Sequence, residues 1–337
     1  MEETTYILEF NTTYYAEYSA PCDKEEVFVF GALFTTILNS LLFIFGITGN
    51  CLVLWILIIH ESLASLTNVL IFNLSVADVI LTACLPFFIV YHREGWVFGA
   101  GACKVVSVLF SVGFYSGIIF LTFLTYHRYV SVVDPLSALK TKTPLFGILI
   151  TVLAWSSSII ASIPVMIFHV QTTRADFTIC EYNQIFPVLV CHYQQNVSFL
   201  LAFCAIIFCY FQIIRTLQQS RSQRNHKPVK LIIIIVVVYF FSWAPYNIVI
   251  LLLSFHHQQI FMDCELTKHL EYAKYVTEKI AICHCCLNPI LYAFVGTKFR
   301  RHFKNLLKCY QSCTGKKQHT TRINFQDQYH NETGSVY

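Results

Sequence analysis

Stretches without charged residues recur along the chain and are separated by shorter polar segments. Seven such runs are present, and Asp78 is the only Asp, Glu, Lys or Arg inside any of them. A helix needs about 20 mostly apolar residues to cross a bilayer, and every run reaches or approaches this length. The strands of a β-barrel would alternate apolar and polar positions instead. The pattern therefore predicts seven spans, over 27–59, 62–91, 105–126, 143–173, 182–214, 231–262 and 280–297, the last of which continues upstream into a charged helical stretch from Leu266.

The composition agrees with a membrane protein. Of the 337 residues, 56% are hydrophobic and 12% are charged, whereas soluble domains are about 25% charged. This excludes intrinsic disorder and disfavours an ordinary soluble enzyme. We predict an all-α membrane protein, a seven-transmembrane helix bundle plus a short amphipathic cytoplasmic helix. Its parts are an acidic extracellular tail over 1–26, the bundle over 27–297, and the amphipathic helix with a cytoplasmic tail over 298–337.

The charges between the spans predict the orientation. One side, formed by 1–26, 92–104, 169–191 and 257–279, carries seven Lys and Arg but fourteen Asp and Glu. The other side carries sixteen Lys and Arg and four acids. Basic residues mark cytoplasmic loops, so the N-terminus is predicted to be extracellular. The acidic outer face should attract a basic ligand, although acids in a tail also serve simply to keep it soluble.

Both termini carry predicted modification sites. Asn11 begins an Asn-Thr-Thr glycosylation acceptor. Tyr14, Tyr15 and Tyr18 stand among acidic residues, and sulfation of these tyrosines would deepen the negative field. On the other side of the membrane, 298–307 predicts an amphipathic helix on the membrane surface, and two cysteines that follow it, Cys309 and Cys313, are predicted palmitoylation sites.

Four of the fourteen cysteines are expected on the oxidising outer side: Cys22, Cys103, Cys180 and Cys264. Four cysteines allow three pairings. Because neighbouring ends of a closed bundle meet, the order of the spans favours Cys22–Cys264 and Cys103–Cys180. A metal site within 283–286 is disfavoured, since adjacent positions on a helix point in different directions.

Polar residues and prolines inside the spans are the remaining unusual feature. An ionisable group in the membrane is costly and is usually functional, which singles out Asp78. Asn50, Asn73, His284 and Asn288 are expected around the same cavity. The alternative is that these groups only form hydrogen bonds that hold the helices together.

Short motifs, each in its own span and in a fixed order, resemble those of the rhodopsin-like (class A) G-protein-coupled receptors. They are Gly49-Asn50, residues 74–78, His127-Arg128-Tyr129, Trp155, Tyr210, residues 242–245 and residues 288–292.

Within this family the chain resembles the chemokine receptors. Their first outer loop is matched by residues 96–99, their sixth span by residues 243–247, and their extra disulfide by Cys22 with Cys264. The resemblance is nearest to the XC-chemokine receptors, in which His127 also replaces the usual aspartate before Arg128.

The resemblance implies that the ligand binds in two steps. The acidic tail would hold the basic core of a chemokine, and the N-terminus of the chemokine would then enter the bundle. Phe88, Phe110 and Tyr246 would line the pocket, and Glu278 would be the counter-ion of a cationic group. The alternative role for Glu278 is an ion pair with Lys274 on the same helix face.

The resemblance also implies a switch inside the bundle. Trp243, above the helix-kinking Pro245, would relay changes in the pocket, and Asp78 with Asn288 would form a polar site below it. His284 and Gly117 replace common polar ligands of sodium there, which disfavours sodium at Asp78, and no other cofactor is predicted. Further switch residues are Pro289, Tyr292 and Tyr210.

The cytoplasmic partners implied by the resemblance are a heterotrimeric G protein of the inhibitory class and arrestin, in addition to membrane lipids. Nucleic acid is not an expected partner. A scavenging receptor that does not couple to G proteins is an alternative, and a transporter or channel is disfavoured because the sequence has no internal repeat. The residues expected to engage the G protein are His127, Arg128, Tyr129, Val132, Pro135 and Leu136.

Overall fold

The computed structural model describes residues 23–140, 143–174, 177–219, 226–258, 260 and 263–295. Several predicted features therefore lie outside the described residues. They are the glycosylation site Asn11, the tyrosines Tyr14, Tyr15 and Tyr18, the cysteine Cys22, the amphipathic helix over 298–307, and the cysteines Cys309 and Cys313.

Seven long helical segments form the bundle, and we refer to them as the first to seventh spans. Their bounds are Glu25–His60, Leu66–Ala83 continued by Leu85–Glu94, Gly99–Val133, Pro144–Ala161 continued by Ile163–Phe168, Ile185–Gln219, His226–His257 and Cys264–Val295. A short helix, Pro135–Lys140, follows the third span. Large apolar side chains such as Phe45 and Leu145 face outward, as expected for surfaces that lipid covers. The predicted seven-helix fold is confirmed.

The seventh span is the most polar of the set. Among the described residues, six helices are long and apolar enough by composition to cross a membrane, and Cys264–Val295 is not one of them. Its outer half carries charged side chains, whereas its inner half is apolar. The charge-free run at 280–297 therefore marks only the inner part of a helix that begins at Cys264.

Prolines shape the spans in two ways. The second and fourth spans break just before Pro86 and Pro164, which stand in the first turn of the helices that continue them. Pro245 and Pro289 instead lie inside continuous helices. A proline cannot donate the helical hydrogen bond, and the carbonyl of Cys285, four residues before Pro289, accepts instead from Nδ2 of Asn50 at 2.9 Å.

A β-hairpin connects the fourth and fifth spans on the outer side. Its strands are β1, His169–Arg174, and β2, Phe177–Tyr182, which pair antiparallel with His169 opposite Tyr182. These strands were not predicted from the sequence. They cover part of the bundle opening and contact the third span.

The second and third spans approach each other closely at Gly113. A Cβ atom at this position would lie 3.0 Å from Cβ of Leu81 and 3.1 Å from the carbonyl oxygen of Ala77. The absence of a side chain at Gly113 is therefore what allows this contact. Gly117, one turn further along the same helix, has no such neighbour within 4 Å in the described part of the chain.

Candidate functional site

Half-buried aromatic side chains line the outer opening of the bundle. The rings of Phe88 and Phe110 meet edge to face with their centroids 5.3 Å apart, the arrangement that aromatic pairs prefer. Tyr246 lies against Trp243 in the same way, at 6.1 Å. The three residues predicted to line a pocket therefore come from the second, third and sixth spans.

Glu278 reaches this region from the seventh span but pairs with an unexpected residue. Its Oε1 lies 3.1 Å from Nζ of Lys279, whose side chain is only 3% exposed, while 26% of the Glu278 side chain remains exposed. Lys274, the partner considered as the alternative role of Glu278, also attracts this carboxylate electrostatically. Lys24 pairs with Glu271 at 3.6 Å and so links the first span to the seventh.

A disulfide holds the hairpin over the bundle. Cys103, near the start of the third span, is bonded to Cys180 in β2, which confirms this predicted pair. The buried Trp96 supports it, since its backbone N–H donates to Thr178 at 2.7 Å and its indole Nε1 donates to Gly99 at 2.9 Å. Cys264 is disulfide-bonded, but Cys22 lies outside the described residues, so their pairing stays a prediction.

His169 is a half-buried outer residue that the sequence did not single out. Its Nδ1 lies 2.7 Å from Oγ of Ser107, and its ring packs edge to face on Tyr182 at 4.2 Å. Burial lowers the pKa of His169 to about 4, so the imidazole is neutral at pH 7. One histidine after an apolar run carries no recognisable signal, which is why sequence reasoning missed it.

Below the pocket, the sixth and seventh spans are joined through Trp243. Its indole Nε1 lies 3.0 Å from Nδ1 of His284, and its ring packs on Phe114 at 4.6 Å. Nδ1 of His284 is also 2.6 Å from the carbonyl oxygen of Ala281. A ring nitrogen either accepts or donates, so the two tautomers of His284 make different bonds, one to Trp243 and the other to Ala281.

Asp78 lies at the centre of the buried polar network. Asn288 donates to its Oδ2 at 2.8 Å, Nε2 of His284 lies 3.7 Å from its Oδ1, and the thiol of Cys285 also interacts with it. These groups bring nitrogen and sulfur, whereas small hard cations are held by oxygen ligands. This donor set agrees with the expectation that sodium is disfavoured at Asp78, which stays a prediction.

Two asparagines complete the network between spans. Nδ2 of Asn50 donates to the carbonyl of Cys285 at 2.9 Å and so joins the first span to the seventh. Oδ1 of Asn73 accepts from the indole of Trp155 at 2.9 Å and joins the second span to the fourth. The predicted polar residues thus act as links between helices as well as lining a cavity.

The cytoplasmic end of the third span holds the His127-Arg128-Tyr129 motif. Nε of Arg128 is buried and has no hydrogen-bond partner among the described residues. The hydroxyl of Tyr210, from the fifth span, lies close enough to interact with it electrostatically, and the ring of Tyr129 is 6.1 Å from that of Phe208.

The neighbouring loop is more accessible. Val132 is half-buried, Pro135 is exposed, and Leu136 at the start of the short helix is 73% exposed. The backbone of Tyr292 belongs to the seventh span, but its side chain is not among those described.

Comparison with known proteins decides the family. The family described as 7 transmembrane receptor (rhodopsin family) matches residues 49–292. Chemokine XC receptor 1 of Homo sapiens is 44% identical over 300 residues, which are 89% of each chain. The Mus musculus protein of the same name is 40% identical over 88% of this chain and 89% of its own. C-C chemokine receptor type 4 of Homo sapiens is 36% identical over 89% of this chain and 84% of its own.

This chain belongs to the chemokine receptors of the rhodopsin family. As a member of that family, this receptor is a multi-pass protein of the plasma membrane and not an enzyme. The expected family is confirmed, and the roles of the individual site residues are taken up below as proposals.

Proposed function

We propose that this receptor binds a basic chemokine of the XC class on the outer side and activates a heterotrimeric G protein of the inhibitory class, for leukocyte chemotaxis and calcium mobilisation. The observation that carries the proposal is the set of half-buried side chains Phe88, Phe110, Tyr246 and Glu278 on four different spans, with a disulfide that holds the hairpin to the third span. The similarity to chemokine XC receptor 1 over 89% of the chain supports the ligand class.

Electrostatics supports a basic protein ligand. The outer segments carry fourteen acids against seven Lys and Arg, and such an excess steers an oppositely charged partner over several ångströms. Glu271 and Glu278 are each paired with a lysine at the bundle mouth. The tail and loop acids therefore provide most of the attraction, and Glu278 provides a local contact for the end of the ligand.

A short chain of contacts leads from the pocket to the interior. Tyr246 packs on Trp243 one turn below it, Trp243 bonds to His284, and His284 lies beside Asp78. A ligand that displaces Tyr246 changes the packing of Trp243 and so the bond between the sixth and seventh spans. For a signal to result, the ligand must favour the rearranged state by its own binding energy.

The cytoplasmic end supports G-protein coupling. Arg128 and Tyr210 lie together where the third and fifth spans end, and exposed Leu136 provides an apolar docking residue nearby. We propose that opening of the sixth span frees Arg128 and Tyr210 for the G protein and, subsequently, for arrestin. Membrane lipids contact the exposed apolar faces of the spans.

His127 favours a second candidate function, a scavenging receptor that binds chemokine without G-protein coupling. The residue before Arg128 is a carboxylate in most of the family that the sequence resembles, and histidine alters the charge there. Retention of Arg128, Tyr129, Pro135 and Leu136 weighs against this alternative.

A chemokine panel applied to cells that express the receptor tests the proposal. An XC chemokine should inhibit cAMP formation and release calcium, and pertussis toxin should abolish both responses. Arg128→Ala should retain binding of the same chemokine while losing both responses. Arrestin recruitment with no change in cAMP would establish the scavenging alternative, and a response only to chemokines of other classes would refute the XC assignment.

A further inference from the structure

Three chemically distinct ligand groups converge in the middle of the bundle. Asp78, His284 and Cys285 are fully buried, and one carboxylate oxygen, one imidazole nitrogen and one thiol sulfur lie within 4.8 Å of one another. Adjacent positions on a helix usually point in different directions. Nε2 of His284 and Sγ of Cys285 are nevertheless only 3.5 Å apart.

From this arrangement we infer that Asp78, His284 and Cys285 form a binding site for a thiophilic divalent cation of the zinc type, which ties the second span to the seventh. Carboxylate, imidazole and thiolate are the three ligand types that Zn²⁺ takes from proteins. A catalytic-type zinc site uses three protein ligands and leaves one position for another oxygen.

Two of the three distances between the ligand atoms match tetrahedral coordination. With the usual metal–ligand bond lengths, two ligand atoms of a tetrahedral zinc are about 3.4–3.6 Å apart. Nε2 of His284 lies 3.5 Å from Sγ of Cys285 and 3.7 Å from Oδ1 of Asp78. The third distance, between the Cys285 sulfur and the Asp78 carboxylate, is no more than 4.8 Å.

The charges also balance. Binding breaks the S–H bond of Cys285, forms a bond between the metal and sulfur, and releases one proton to water. The thiolate and the Asp78 carboxylate then neutralise a divalent ion, so the occupied site has no net charge. A neutral cluster avoids the large cost of an uncompensated charge in the membrane interior.

The surroundings provide the second shell that such sites require. A histidine that binds a metal through one nitrogen donates its other N–H, often to a backbone carbonyl, and Nδ1 of His284 is 2.6 Å from the carbonyl of Ala281. Metal binding selects this tautomer, which removes the bond from Trp243 to His284. Occupancy of the site is therefore coupled to the contact between the sixth and seventh spans.

An independent sign of a ligand is the hydroxyl of Tyr239. This side chain is 6% exposed, and its Oη has no hydrogen-bond partner among the residues whose positions are described. Its ring packs edge to face on His284 at 5.1 Å, and it interacts electrostatically with Asp78 and Cys285. A water molecule on the fourth position of the metal would supply the partner that Tyr239 lacks.

Cobalt titration of the purified full-length receptor in lipid nanodiscs tests this inference. Wild type should bind one Co²⁺ with a thiolate-to-cobalt charge-transfer band, and Zn²⁺ should remove the band. Cys285→Ser and His284→Ala should each weaken Co²⁺ binding at least tenfold. Cys286→Ser is the matched control that should keep the band, because that thiol bonds to the carbonyl of Leu42 instead.

The failure of a variant to fold does not obscure the result, because X-ray absorption of the zinc-loaded wild type provides a second readout. One sulfur and at least one imidazole in the zinc shell support the site. No charge-transfer band in wild type, a band that survives Cys285→Ser, or a zinc shell of oxygen atoms alone would each overturn it.

Discussion

The indole of Trp243 lies 3.0 Å from Nδ1 of His284, so a buried hydrogen bond joins the sixth span to the seventh one turn below Tyr246. Trp243 is 3% exposed and His284 is 4% exposed. Loss of His284 leaves the indole N–H of Trp243 without this acceptor, and an unsatisfied buried polar group costs about 1–3 kcal/mol.

This bond gives the first prediction. Replacing His284 with phenylalanine keeps a ring but removes the acceptor, so the free energy of unfolding should fall by about 1–3 kcal/mol. Ligand-dependent G-protein activation should fall more than ligand binding, because the pocket residues stay in place. Thermal melts and nucleotide-exchange assays on purified receptor measure both effects. Equal losses in binding and activation would show that His284 supports the ligand-binding region rather than the transmission of the signal to the G protein.

Gly113 gives a prediction about stability with a control on the same helix. Gly113→Ala places a methyl group 3.0–3.1 Å from atoms of the second span, two of which are backbone atoms that cannot move aside. The receptor should be destabilised by about 1–3 kcal/mol. Gly117→Ala meets no neighbour within 4 Å in the described region and should be neutral or stabilising by up to about 1 kcal/mol. Melting temperatures that rank the two variants in the opposite order would show that the second and third spans do not approach closely at Gly113.

Trp96 should be essential for the packing around the Cys103–Cys180 disulfide on the outer side. Trp96→Ala removes a side chain that is 2% exposed and packs beside the Cys103–Cys180 disulfide, and truncation of a buried tryptophan costs about 3–5 kcal/mol. Surface expression and ligand binding should both decline. Val97→Ala, at a neighbouring side chain that is 62% exposed, should leave expression unchanged. Flow cytometry of intact cells measures the difference, and similar expression of the two variants would refute this role.

His169 predicts a dependence of stability on pH. Burial lowers its pKa to about 4 in the folded receptor, against about 6.5 in an unfolded chain. Between these values only the unfolded state takes up the proton, so the His169 contribution to stability is complete above pH 6.5 and is lost as the pH falls towards 4. The loss should be on the order of 1–3 kcal/mol.

The matching variant is His169→Gln, which keeps a hydrogen bond to Ser107 without titrating. Its melting temperature should fall less than that of wild type when the pH is lowered from 7.5 to 5. Identical pH slopes for the two proteins would mean that His169 is not the group responsible.

His127 predicts altered activity without ligand. Nε of Arg128 lacks a hydrogen-bond partner in the part of the chain that is described, and a carboxylate at the preceding position would attract the guanidinium and favour the closed state. His127→Asp should therefore lower ligand-free nucleotide exchange on the G protein, whereas His127→Gln should not. Unchanged exchange in His127→Asp would show that this residue does not set the basal activity.

The spans themselves could be predicted from the sequence because a bilayer imposes a simple rule of length and polarity. The 231–262 run, for example, needs no tertiary information to be recognised. The start of the seventh span at Cys264 is harder, since its charged outer half is stabilised by partners such as Lys24, from the first span. The β-hairpin depends on the bond from Cys180 to Cys103 and carries no alternating pattern of its own.

The site, like the fold, could be predicted from the sequence only where it did not depend on tertiary partners. Motifs pointed to Asp78, Trp243 and Asn288, because ionisable and amide groups are rare in apolar runs. Their partners could not be inferred in this way. That Lys279 forms an ion pair with Glu278, and that Cys285 faces Asp78, depends on side-chain directions within packed helices.

Direct binding of a labelled XC chemokine to cells that express the receptor tests the central claim most directly. We predict saturable binding that unlabelled XC chemokine displaces and that CC chemokines do not, with weaker binding at higher salt because the outer acids attract the ligand. An absence of saturable binding in cells whose surface expression of the receptor is verified would contradict the account.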